Sequence, residues 1–60
     1  MSKFTLEMET DNAAFKPDSI ACSIEVARIL RVVAYRVEEG EKSGKIVDHN
    51  GNRVGRFKNA

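Results

Sequence analysis

The sequence predicts a small α+β domain with two layers, in which one long amphipathic helix covers one face of a three-stranded, mostly antiparallel sheet. Three observations support this fold class: apolar and polar residues alternate over residues 3–10, the apolar period becomes helical over residues 19–39, and residues 44–58 contain an Asn-Gly hairpin signal. The resulting order is β-α-β-β. We expect the first strand to pair antiparallel with the last strand, although parallel pairing with the second strand through a right-handed crossover also fits.

The chain has 60 residues and room for one domain, 1–60, with a marginal core. Its single cysteine and single histidine exclude an intrachain disulfide and a closed four-ligand zinc site. Small chains gain stability from disulfides, metals or partner subunits. Self-association, most simply as a homodimer, is the remaining source of stability.

The composition is that of a globular chain, with 42% hydrophobic and 32% charged residues. The longest apolar run, residues 32–35, is too short to cross a bilayer, and residues 1–4 lead directly into the alternating pattern instead of an apolar signal segment. We therefore expect a cytoplasmic protein without a membrane partner.

The first strand should turn Phe4, Leu6 and Met8 toward the core and end before Asp11 and Asn12, which favour turns. Residues 13–17 then form a short connection. Within it, Pro17 should keep Lys16 extended, and Phe15 should lie under the helix.

The helix should begin after an N-cap at Asp18 or Ser19 and end at a left-handed Gly40. At about 100° per residue, one side of this helix is apolar. The predicted core stripe consists of Cys22, Val26, Ile29, Leu30, Val33 and Val37.

The hairpin turn should contain Asn50 and Gly51, because both residue types tolerate positive φ. A three-residue loop ending at Gly51 would place Ile46 opposite Val54. Phe57 is then out of phase with Val54 by one residue, and a β-bulge at Gly55 would restore the phase.

Catalytic chemistry has little support in this sequence. His49 lies beside Asp48, but adjacent strand residues point to opposite faces, so we interpret His49 as a solvated turn residue. Cys22 falls in the apolar stripe and should be a small buried hydrophobe, with an intersubunit contact as the alternative. No phosphate loop, dinucleotide fingerprint or metal loop is present, so we predict no enzyme activity, no catalytic residues, no cofactor and no metal.

The far side of the helix is unusually apolar and also contains tyrosine and arginine, which are enriched in protein interfaces. The candidate interface residues are Ile20, Ile24, Arg28, Arg31, Val32 and Tyr35. We expect this side to mediate self-association and binding to another protein. A core that wraps around the helix is the alternative explanation.

Nucleic-acid binding is the competing hypothesis. Residues 1–27 hold two basic and five acidic residues, whereas residues 28–60 hold eight basic and four acidic ones. The candidate phosphate contacts are Arg28, Arg31, Lys45, Arg53 and Arg56. A net charge of only +1 and a pI near 7.9 argue against this function, because nucleic-acid-binding domains are usually more basic.

Four tracts of the chain carry a resemblance: Asn12-Ala13-Ala14-Phe15, residues 25–31, residues 36–40 and residues 48–57. Together they resemble a group of very short proteins of bacteria and their phages or prophages that have no assigned activity. The resemblance implies an intracellular accessory protein of mobile-element origin, such as an inhibitor of a host system. Members of the group more often carry acidic residues where this chain has Val32 and Tyr35, which would make the apolar helix face particular to this protein.

Overall fold

The computed structural model describes residues 2–16 and 18–60, and it confirms the α+β fold class and the β-α-β-β order. Between the first strand and the helix it adds a single 3-10 turn, Ala13–Phe15. The main elements are β1 (Phe4–Met8), α1 (Ser19–Glu38), β2 (Ser43–Val47) and β3 (Arg53–Asn59).

The sheet has the order β1-β3-β2, and β3 runs antiparallel to both of its neighbours. The first strand therefore pairs with the last, as expected, and the parallel alternative is wrong. β1 is shorter than the predicted 3–10 segment, whereas the hairpin strands extend one residue beyond the predicted 44–58 at each end.

Both ends of α1 are capped by the predicted residue types. Asp18 is the N-cap, and its Oδ1 accepts a hydrogen bond of 2.8 Å from the backbone N–H of Ala21. At the other end, Gly40 has a φ of 98°, and its N–H donates to the carbonyl of Val37 while Glu41 donates to that of Arg36. This pair of bonds is a Schellman motif, which satisfies carbonyls that the helix leaves free.

The connection before α1 is more compact than the expected loop. Asn12 caps the 3-10 turn, because its side-chain oxygen accepts from the N–H of Ala14 at 2.9 Å. Phe15 is buried beneath the helix, and Lys16 is extended, both as predicted. Pro17 lies outside the described residues.

The core lies in a narrow strip between α1 and the sheet. Its buried members are Ala14, Phe15, Ile29, Val33, Ile46, Val54 and Phe57. The half-buried residues that pack against this strip are Leu6, Met8, Cys22, Val26 and Val37. The core predictions for Phe4 and Leu30 are wrong, because these side chains are 49% and 46% exposed. Three strands about 4.8 Å apart are only about as wide as one helix, so the flank of α1 that carries Leu30 extends past the sheet.

The hairpin contains a bulge, but not at the predicted residue. Ile46 pairs with Gly55 and Val47 pairs with Arg53, which leaves Val54 as the extra residue. Gly55 has a different role, because a Cβ atom there would collide with the carbonyl oxygen of Glu7 on β1. Gly55 is therefore explained by the close approach of β1 to β3.

Candidate functional site

Two surfaces on opposite sides of the domain carry the predicted site residues, because α1 covers one face of the sheet and leaves the other face open. We define the outer helix surface as Ile20, Ile24, Arg28, Arg31, Val32 and Tyr35. We define the open sheet surface as the face that carries Thr5, Glu7, Lys45, Arg53, Arg56 and Lys58.

The four apolar or aromatic members of the outer helix surface are each between 45% and 70% exposed. A core that wraps around the helix is therefore wrong for Ile20, Ile24, Val32 and Tyr35. At about 100° per residue, Ile20, Ile24, Arg31 and Tyr35 lie within about 60° of one another. They form one continuous strip along the side of the helix that faces away from the sheet.

Arg28, at the edge of this strip, is held by a carboxylate that the sequence analysis did not single out. Glu25 is only 4% exposed, and its two oxygens accept from Nε and Nη2 of Arg28 at 2.8 and 2.9 Å. The backbone N–H of His49 also donates to Glu25 Oε2 at 2.8 Å. Glu25 thus joins the helix to the hairpin turn and fixes the Arg28 guanidinium.

The pKa values of this pair move in the directions that favour both charges. The hydrogen bond from Arg28 lowers the pKa of Glu25 more than burial raises it, and the His49 N–H lowers it further. The same carboxylate raises the pKa of Arg28. Both groups are therefore ionised at neutral pH.

Asp48 organises the hairpin turn and does not act as a partner for the His49 ring. Its Oδ1 accepts from the backbone N–H groups of Asn50 and Asn52, both at 2.9 Å, and its Oδ2 accepts from Nδ2 of Asn12 at 2.8 Å. Burial alone would raise the pKa of Asp48, but these hydrogen bonds outweigh it and hold the pKa below its ordinary value. An aspartate before an Asn-Gly turn is the sequence signal that could have predicted this role.

The open sheet surface brings together three of the five residues in the nucleic-acid hypothesis. Phe57 points into the core, so its neighbours Arg56 and Lys58 point to the other face, where Lys45 pairs with Arg56. Arg53 joins them because the bulge at Val54 reverses the alternation.

Arg28 and Arg31 lie on the opposite side of the domain from this face. The predicted set Arg28, Arg31, Lys45, Arg53 and Arg56 is therefore divided between two surfaces, one on the helix and one on the sheet.

The remaining candidate groups lie apart from one another. Cys22 is half-buried against the core, and the side chain of His49 is exposed at the turn. Within residues 2–16 and 18–60, no group of three His, Cys, Asp or Glu side chains is placed to hold a metal ion. Over the same residues, no helix is both long and apolar enough to span a membrane. Comparisons with protein-family models, curated proteins and solved structures found no match.

Proposed function

We propose that the domain is a non-enzymatic protein-interaction module that forms a homodimer through the outer helix surface and binds other proteins. The observation that supports this proposal is the exposure of Ile20, Ile24 and Tyr35 along one strip of α1, with Val32 exposed beside it. A helix that only covers a small sheet is normally polar on that side. An apolar strip with Tyr and Arg in it has the composition of a protein interface.

The size of this strip favours a weak dimer. Covering four side chains that are already partly buried contributes about 1–2 kcal/mol each, or about 8–16 kcal/mol for two copies. Association costs about 4–15 kcal/mol in lost translational and rotational freedom. The two ranges overlap, so burial of this strip alone supports only weak association.

The charges favour an antiparallel arrangement of the two helices. In a parallel pair, Arg31 of one copy would lie beside Arg31 of the other, and the like charges would repel. In an antiparallel pair, the apolar end at Ile20 and Ile24 meets the end of the other helix that carries Tyr35. Arg28 adds little entropic cost, because Glu25 already holds its guanidinium in place.

Sedimentation equilibrium from about 5 to 500 μM, at low and high salt, tests the dimer. We expect a dimer that persists in high salt, and we expect Ile24→Glu and Tyr35→Glu to convert it to monomer. Val47→Glu is the matched control, because Val47 is also an exposed apolar residue but lies on the edge strand β2. A wild-type monomer, or a dimer that only Val47→Glu disrupts, would contradict the proposal.

The proposed role toward other proteins is supported by the resemblance to short bacterial and phage proteins, which favours an accessory or inhibitory function inside the cell. Partner capture from a bacterial lysate with wild-type protein and Ile24→Glu tests it. A protein retained by the wild type and by Val47→Glu, but lost with Ile24→Glu, would identify a partner of the outer helix surface.

A further inference from the structure

We infer that the open sheet surface binds the phosphate backbone of duplex nucleic acid through Lys45, Arg53, Arg56 and Lys58. Charge is placed unevenly over the domain. Four of the ten basic residues lie on this face, opposed there by Glu7 and Glu9 of the nine acidic residues. The face is therefore cationic, although the chain as a whole has a net charge of only +1.

The cations of this face form a linear array. Arg53, Arg56 and Lys58 follow one another along the central strand β3, and Lys45 lies beside Arg56 on β2. At about 3.4 Å per residue, Arg53 and Lys58 are about 17 Å apart along the strand. That length corresponds to about five nucleotides of one strand of B-DNA at about 3.4 Å each.

These cations are available to a ligand. Within the described part of the chain, Lys45, Arg53 and Lys58 make no ion pair. Arg56 Nε contacts Glu7 Oε1 at 2.9 Å, but both side chains are about 70% exposed. Such an exposed pair contributes at most about 1 kcal/mol, so a phosphate can replace the carboxylate.

The composition of this face favours a duplex as its ligand over a protein or a single strand. The aromatic residues lie elsewhere: Phe15 and Phe57 are buried, Phe4 stacks on Phe57, and Tyr35 is on the helix. Base stacking, which single-strand binding requires, has no aromatic platform on this face. Val47 is the one large exposed hydrophobe here among the described residues, so a protein partner would find little apolar contact.

Fluorescence anisotropy with a labelled 20-base-pair DNA duplex, from 20 to 200 mM KCl, tests this inference. Four phosphate contacts predict a slope of about −3.6 for log K against log salt, or a loss of about 150-fold between 50 and 200 mM. The double variant Arg53→Gln/Lys58→Gln should reduce the slope to about −1.8 and weaken binding at least tenfold at 20 mM KCl.

The matched control is Lys16→Gln/Lys42→Gln, which removes the same charge outside both proposed surfaces. Its affinity should stay within about twofold of the wild type, and circular dichroism should show both double variants folded. Glu7→Gln frees Arg56 and should strengthen binding.

Three outcomes would overturn the inference: no binding at 20 mM KCl, equal weakening in the two double variants, or tighter binding of the corresponding single strand. Ile24→Glu should leave binding by each protomer intact, so this test does not depend on the dimer.

Discussion

Glu25 is the residue whose replacement tests the account of this fold most directly, because one buried carboxylate contacts both the helix and the hairpin turn. We expect Glu25→Ala to destabilise the domain by about 2–4 kcal/mol. The contact with the His49 N–H contributes most of this, because hydrogen bonds to charged groups contribute about 1.5–3 kcal/mol. The contact with Arg28 contributes only about 0.5–1 kcal/mol, since the Arg28 side chain is 42% exposed.

This loss is large for a chain of 60 residues. At about 0.05–0.15 kcal/mol per residue, the whole domain is stable by about 3–9 kcal/mol. Glu25→Ala should therefore remove between about a fifth and all of the free energy of unfolding, and it should lower the urea midpoint clearly without changing the slope of the transition.

Urea unfolding followed by circular dichroism measures the effect, with two matched variants. Arg28→Ala should cost only about 1 kcal/mol, because Glu25 keeps its hydrogen bond from His49. Glu25→Gln should lie between the two, because its amide oxygen still accepts from that N–H. If Arg28→Ala cost as much as Glu25→Ala, the ion pair and not the turn contact would hold the helix to the hairpin, and the reasoning would be refuted.

Two further predictions concern acid stability and the glycines of the sheet. The pKa values of Glu25 and Asp48 are lowered by folding, so the unfolded chain binds more protons as the pH falls. The free energy of unfolding should be constant from pH 7 to about pH 5.5, and it should decrease once the pH falls below the ordinary pKa values of 4.5 for Glu25 and 3.8 for Asp48. A flat profile in Glu25→Gln/Asp48→Asn would attribute the loss to these two groups. A loss of the same size in that double variant would contradict this attribution. Gly55→Ala should cost about 1–3 kcal/mol in urea unfolding, because the new Cβ meets the β1 backbone. Gly44→Ala should cost less, because its Cβ meets side-chain atoms, the guanidinium of Arg36 and Cε1 of Phe57 at 3.2 Å, rather than backbone. Equal costs would refute the close-approach explanation of Gly55.

The sequence was sufficient wherever the determining interactions are local. Asp18 and Gly40 cap the helix through bonds to residues within one turn, and the alternation in β1 and the Asn-Gly turn are local signals as well. Leu30 and Gly55 were interpreted incorrectly because their environments depend on long-range packing. The exposure of Leu30 follows from the width of the sheet, and Gly55 faces a strand about 50 residues away in sequence.

The candidate sites show the same division between local and long-range information. Helical periodicity was enough to group Ile20, Ile24 and Tyr35, because all three lie on one element. That Arg28 and Arg53 lie on different surfaces could not be read from the sequence, because it depends on which face of the sheet the helix covers. Glu25 was missed because its partner, the His49 N–H, is a backbone group 24 residues away, and no side-chain pattern indicates it.

The two proposed surfaces place different and compatible demands on this fold. The outer helix surface is apolar, so its association should be insensitive to salt, whereas binding at the open sheet surface should weaken steeply as salt is added. Because the two surfaces lie on opposite sides of the domain, both can be occupied at the same time. A dimer joined through its helices would present its two cationic sheets in opposite directions, so each dimer would contact two duplex segments. Dimerisation would then add a second point of attachment without strengthening either one, which is the physical basis for linking two duplexes.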